Sequence, residues 1–195
     1  MTRKIDRCCP DDVTIRSATV EDAAGIGSIQ VLTWRDAYRG LISEETLSGM
    51  TGREIALYVT EIVQGEHDGE FALVAESCGR LATFCIGGPE RSCESPNDGH
   101  SGEIYSMYVL PEFQGMGIGR KLSASGRATL ASYGRAELAL WVLEGNERTI
   151  GFLRKSRRDC GRKEEFRRFR KRCDRSRNAL GESSGDYSIE TSSPQ

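Results

Sequence analysis

A chain of 195 residues with 27 Lys and Arg, 29 Asp and Glu and a net charge of -2 is long enough for one domain with its own hydrophobic core, held without disulfides or metals. The opening Met1-Thr2-Arg3-Lys4-Ile5-Asp6-Arg7 is charged with no apolar run behind it, and no later stretch approaches the length of a membrane span, so a cytoplasmic location is the default expectation. Seven cysteines, an odd number without a Cys-x-x-Cys pair, are expected to be free thiols, with Cys78 and Cys85 acting as small hydrophobes in or beside strands.

Residues 1–12 are expected to be a disordered leader. Val13-Thr14-Ile15-Arg16 alternates as a first strand, and Thr19 with Asp22 has the spacing of a capping box. The helix it opens runs to about Tyr38, where Gly40 stops it. Ser43 is placed to cap a short helix through Leu47, and Ile55, Val59, Ile62 and Val63 mark a longer helix over 53–63. Glu70 to Glu76 and Leu81 to Gly87 predict an antiparallel hairpin around Cys78-Gly79-Arg80. Gly88 to Gly102, rich in Gly, Pro, Ser and Asn, predicts a loop. The segment from Glu103 to Leu110 is apolar on both faces, as suits a strand inside a covered sheet. A helix to about Tyr133, a buried strand over Leu138–Val142 and a helix capped by Asn146 follow. This order predicts an α/β fold, a mixed sheet with helices on both faces.

Between the central strand and its helix lies Gln114-Gly115-Met116-Gly117-Ile118-Gly119-Arg120. Three alternate glycines leave backbone N–H groups unshielded where a helix begins, which is an anion-binding arrangement. A dinucleotide fingerprint fails because Arg120 stands where the third glycine belongs, and a Walker loop fails because Gly119 is not followed by Lys and then Ser or Thr. What remains, Gln-x-x-Gly-x-Gly, resembles the pyrophosphate-binding motif of the GNAT superfamily of acetyl-CoA-dependent N-acetyltransferases. The similarity extends to Thr33-Trp34-Arg35-Asp36-Ala37-Tyr38-Arg39-Gly40-Leu41 and Leu140-Trp141-Val142-Leu143-Glu144-Gly145-Asn146, and so covers about Val13 to Phe152.

The resemblance implies a GNAT-like mixed, mostly antiparallel central sheet flanked by helices in an N-acetyltransferase domain over 13–153. It also implies transfer of an acetyl group from acetyl-CoA to a primary amine by direct attack in a ternary complex. Such chemistry needs bound reactants, oxyanion donors, a base and an acid, and no metal. By the same resemblance, Met107, Tyr108 and Val109 would meet the thioester and pantetheine. Gln114, Gly115, Met116, Gly117, Ile118, Gly119 and Arg120 would cradle the pyrophosphate, and Asn146 would contact the pantetheine arm besides capping its helix. Glu103 would be the base or else a solvated strand-edge carboxylate, and Trp34 and Tyr38 would line the acceptor groove or else pack the core. The implied acceptor is a small-molecule or peptide amine, and a homodimer is common in such proteins. His67 and His100 lie in polar loops with no partner at ligand or triad spacing.

The chain departs from the family where a tyrosine general acid is usual: Asn146, Thr149 and Phe152 fit the pattern, but the next residue is Leu153. Beyond it, 154–195 reads as a basic and then polar tail poor in apolar residues, so the C-terminal strands of such a sheet are expected to be missing or altered. Dropping one nucleotide ahead of the Leu153 codon, with codons chosen from the degenerate set, restores Tyr-Glu-Ser-Arg-Gly-Gly, which makes a frameshifted ending one explanation. The alternatives are an acetyl-CoA-binding pseudoenzyme or damaged copy and, as the lesser reading, a nucleic-acid-binding arm built on Arg167, Arg168, Arg170, Lys171 and Arg172.

Overall fold

The computed structural model describes residues 12–91, 101–135, 137–143, 145–160 and 165–169, with 156–160 and 165–169 as backbone alone. Residues 1–11 of the expected leader, 92–100 of the predicted loop with His100, and the tail from Arg170 onward lie outside the described residues.

The strands are β1 (Val13–Ser17), β2 (Phe71–Ser77), β3 (Arg80–Pro89), β4 (Ser101–Val109), β5 (Glu137–Leu143) and β6 (Glu165–Phe169). The helices are α1 (Ala23–Ala37), α2 (Glu44–Gly49), α3 (Arg53–Gln64), α4 (Ile118–Ser132) and α5 (Glu147–Cys160). The sheet runs in chain order from β1 to β6, antiparallel from β1 through β4 and parallel from β4 to β6. This is the mixed α/β architecture expected, with one strand more than the tail's composition suggested: β6 forms where Phe166 and Phe169 are the only apolar residues, and α5 runs on to Cys160.

Local chemistry explains most element ends. Thr19 donates its backbone N–H to Asp22 Oδ2 at 2.8 Å, and Arg16 holds the same carboxylate at 2.6 Å, fastening β1 to the entry of α1. Ser43 Oγ accepts from the Thr46 N–H at 3.3 Å, and Asn146 Oδ1 accepts from the Thr149 N–H at 3.1 Å, so both expected caps are present.

The core lies between the sheet and its two helical layers. Phe84, Ile86, Ile26, Ile118 and Leu122 are fully buried, each side chain contributing about 1.5–3 kcal/mol by removal from water. On α4, Ile118, Leu122, Gly126 and Leu130 recur every four residues and face the sheet. Helices α1 and α3 meet backbone to backbone: a Cβ on Gly27 would lie 2.3 Å from the Gly52 carbonyl oxygen. Cys85 is a buried free thiol, its pKa pushed up to about 12 by desolvation. Cys78 is a correction to the expectation of free thiols, because it is held in a disulfide.

Candidate active site

The central strand β4 serves two partners differently along its length. It pairs with β5 from Ser101↔Glu137 to Ile104↔Leu140, and the pairing ends there, while β3 continues alongside to Thr83↔Val109. Burial follows this geometry: Ser101 to Ile104 are buried, whereas Tyr105 to Val109 are all only partly so. A wedge opens between β4 and β5 in the middle of the sheet.

The orientation of the groups in this wedge follows from the ladder. Leu110 donates to the Ala82 carbonyl at 3.0 Å, and the Tyr108 carbonyl accepts from Thr83 Oγ1 at 2.7 Å, so the backbones of Tyr108 and Leu110 face β3. By alternation, the N–H groups of Met107 and Val109 face the wedge. Tyr108, singled out in the sequence with them, therefore has its side chain alone to offer.

A register shift between Ile86 and Gly87, opposite Tyr105, changes which side chains share a face. Ile104 and Val109 both approach α4, next to Gly126 and Gly119. An unbroken strand would put residues five apart on opposite faces. Glu103, Tyr105 and Tyr108 consequently share the other face, beneath α1 and α3.

On that face Glu103 is 4% exposed. Its carboxylate accepts from the Arg91 N–H at 3.0 Å, and the Arg91 guanidinium lies 3.8 Å away and 3.5 Å from the Tyr105 ring centroid. Burial raises the Glu103 pKa, and the Arg91 N–H and charge oppose the rise without cancelling it. The sequence offered no signal for Arg91, which lay within the predicted loop. Farther along, Tyr58 donates to Glu70 at 2.5 Å, and His67 bonds Glu61 at 3.1 Å and lies 3.7 Å from Glu70. His67 thus has carboxylate neighbours in space that its sequence spacing does not announce.

Trp34 and Tyr38, from the last turns of α1, stand over the wedge. Their rings meet edge to face at 5.0 Å, Trp34 lies 6.2 Å from the Tyr108 ring, and the Tyr38 and Tyr108 hydroxyls are 3.4 Å apart. The turn after β5 closes the same end: Gly145 sits against Leu41, and the Asn146 side chain faces the Tyr38 hydroxyl.

The loop from β4 to α4 forms the wedge's mouth. Gly115 and Gly117 have φ of 78° and 80°, a conformation costing other residues about 1–2 kcal/mol, and open space surrounds the position of a Cβ on each. Gln114 Nε2 donates to the Val109 carbonyl at 2.8 Å, clamping the loop to the strand, while its Oε1 is buried without a hydrogen-bond partner. Ile118 is wholly buried, Met116 half-buried, and Gly119 packs 3.3 Å from Val109 at the Cβ position. The first intrahelical bond runs from the Lys121 N–H to the Gly117 carbonyl, so the N–H groups of the first turn have no acceptor within the helix and point outward. Exposed Arg120 adds positive charge there. The arrangement suits a ligand with an anionic end at the loop and an amide-bearing arm in the wedge.

Leu153 is buried with Val142 and Ile150 in a small cluster, its aliphatic side chain filling space under α5. Among the described residues, no group of three or more His, Cys, Asp and Glu side chains is placed to hold a metal ion, and no helix is long and apolar enough to cross a membrane.

Residues 32–157 match the family model described as "Acetyltransferase (GNAT) family". The chain is 32% identical over 138 residues to the uncharacterized N-acetyltransferase YuaI of Bacillus subtilis, covering 71% of this chain and 76% of that protein. It is 34% identical over 126 residues to the aminoglycoside N(6')-acetyltransferase type 1 of Stenotrophomonas maltophilia, covering 65% and 72%. Its fold superposes on the PaiA N-acetyltransferase of Thermoplasma acidophilum, solved with coenzyme A, with a TM-score of 0.61 at 20% identity, over 73% of this chain and 87% of that one.

Proposed function

Because the chain belongs to the GNAT family of acetyltransferases, we propose that it transfers an acetyl group from acetyl-CoA to a primary amine by direct attack in a ternary complex. The observation that carries this reading is the wedge that opens beyond Ile104 and Leu140 and runs to the glycine loop before α4. The pyrophosphate sits on the N–H groups of Gly115 to Arg120, and the pantetheine arm lies along β4 between Val109 and Asn146. The thioester carbonyl lies at the N–H of Met107, where the developing oxyanion is stabilised.

The acceptor enters from the α1 and α3 face, past Trp34 and Tyr38. Glu103 takes the ammonium proton directly or through water, and its raised pKa brings it closer to the operating pH, which favours a general base. The free amine attacks the thioester carbon, the tetrahedral intermediate collapses, and the thiolate departs. Holding the two reactants together supplies much of the acceleration. The aminoglycoside acetyltransferase among the relatives supports a small polyamine-like acceptor, and peptide amines remain in the test panel.

Thiol release from acetyl-CoA, followed with kanamycin, spermidine, free amino acids and a peptide N-terminus, tests the reading. Release above the acceptor-free rate with at least one amine is expected, reduced about a hundredfold or more in Glu103→Gln. Binding of acetyl-CoA with no acceptor-stimulated release from any amine would overturn the transfer function.

A further inference from the structure

The reaction proposed above needs a proton for the leaving thiolate, and the position from which this family supplies it carries Leu153, buried with Val142 and Ile150. Other hydroxyls near the wedge have their protons engaged. Tyr105 donates to the Pro89 carbonyl at 2.6 Å, and Thr83 donates to the Tyr108 carbonyl at 2.7 Å, so both protons are committed elsewhere. Tyr58 is committed to Glu70 at 2.5 Å.

Tyr38 and Tyr108 differ from these, because their hydroxyls meet each other at 3.4 Å and one proton of the pair is left over. Asn146 decides which one. Its Oδ1 is used by the Thr149 N–H at 3.1 Å, so its amide nitrogen, which only donates, is the part left to face Tyr38. With only a donor of Asn146 left toward it, the Tyr38 oxygen is the acceptor for the Tyr108 hydroxyl at 3.4 Å, and the Tyr38 proton is the one left over. Tyr108, from β4, then has Tyr38 as the acceptor for its proton. Tyr38 comes from the end of α1, beside the β5–α5 turn that closes the wedge through Gly145 and Leu41. Burial raises the Tyr38 pKa above its ordinary value, keeping the phenol protonated at neutral pH, while the bonds from Tyr108 and Asn146 favour the phenolate that donation would leave.

We propose that the Tyr38 hydroxyl, paired with the Tyr108 hydroxyl beside the β5–α5 turn, is the proton donor to the departing thiolate in place of a phenol at position 153. As the carbon–sulfur bond of the tetrahedral intermediate breaks, its electron pair goes to sulfur, and the Tyr38 O–H bond breaks to give the free thiol and a phenolate. Solvent then returns a proton to Tyr38, and Glu103 releases to solvent the one taken from the amine, so the cycle closes without another reactant.

This inference rests on the proposed acetyl transfer, and one set of variants separates the two. Wild type, Tyr38→Phe, Leu153→Tyr and the double variant are assayed for thiol release from acetyl-CoA with hydroxylamine, a small nucleophile that is uncharged near neutral pH. Acetyl-CoA binding is followed by calorimetry throughout. The expected result is a loss of about a hundredfold or more in Tyr38→Phe with acetyl-CoA affinity kept, and recovery of most of it in the double variant. The loss should shrink with an acetyl thioester of an acidic aryl thiol, whose thiolate departs without a proton, a dependence that a merely structural role would not give. Equal turnover by wild type and Tyr38→Phe would overturn the role of Tyr38. So would turnover by Leu153→Tyr alone, which would mean that the natural chain has no proton donor of its own. Silence from both wild type and Leu153→Tyr would instead overturn the transfer function itself.

Discussion

Ile104 pairs with Leu140, and beyond that pair β4 and β5 separate, leaving the Met107 and Val109 N–H groups facing an open wedge. A proline at position 109 removes one of these N–H groups without breaking a ladder bond to β3. Val109→Pro is therefore expected to leave the melting temperature nearly unchanged and to weaken acetyl-CoA binding about 3- to 10-fold, the worth of one hydrogen bond. Tyr108→Pro, which removes the N–H on the β3 side, is expected to destabilise the fold strongly. Thermal melts and calorimetry on the pair check the assignment.

Gly27 and Gly52 let α1 and α3 touch, and the end of α1 carries Trp34 and Tyr38. Gly27→Ala places a methyl group on the Gly52 carbonyl and is expected to cost about 1–3 kcal/mol of unfolding free energy. Chemical denaturation measures it. Because the clash lies at the far end of α1 from the wedge, acetyl-CoA affinity of the folded fraction should change little.

The pH dependence follows from Glu103. Its folded pKa is raised, and a base works only as the carboxylate, so kcat/KM should rise with pH through a value above the ordinary glutamate range. Arg91→Ala removes the charge that favours the carboxylate and should move that rise to higher pH, while Glu103→Gln should abolish it. Stability takes the opposite sign. A carboxyl with a raised folded pKa contributes stability that is present below its unfolded pKa and lost as pH rises through the folded one. Glu103→Gln should therefore melt higher than wild type at neutral pH and lose that advantage in acid, as thermal melts across pH would show.

The order of elements was legible in the sequence because each one carries local signals. The Asn146 cap, the Ser43 cap and the four-residue spacing of Ile118, Leu122 and Leu130 act within a turn or two of the chain, and each appears where it was expected. The glycine loop was legible for the same reason, since positive φ at Gly115 and Gly117 is a demand the local chain makes. The end of the β4–β5 pairing was not, because it depends on residues far apart in sequence and on a register shift that no residue type announces. The shift also redirects Tyr108 to the face of Glu103 and Tyr105, so the hydroxyl pair of Tyr38 and Tyr108 could not be read from strand alternation. Arg91 and β6 escaped for a related cause: each belongs to a stretch whose composition is that of a loop or a tail, and tertiary pairing decides its conformation.

Gly117, with a φ of 80°, turns the chain so that the first turn of α4 presents its N–H groups to the wedge. Titration of acetyl-CoA into the full chain and into Gly117→Val, by calorimetry, tests whether this loop holds the coenzyme. One acetyl-CoA per chain is expected for the natural protein, with binding at least tenfold weaker in a variant that remains folded. A folded natural chain that binds no acetyl-CoA, or that binds it equally well with valine at position 117, would contradict the claim that this wedge and loop form the coenzyme site.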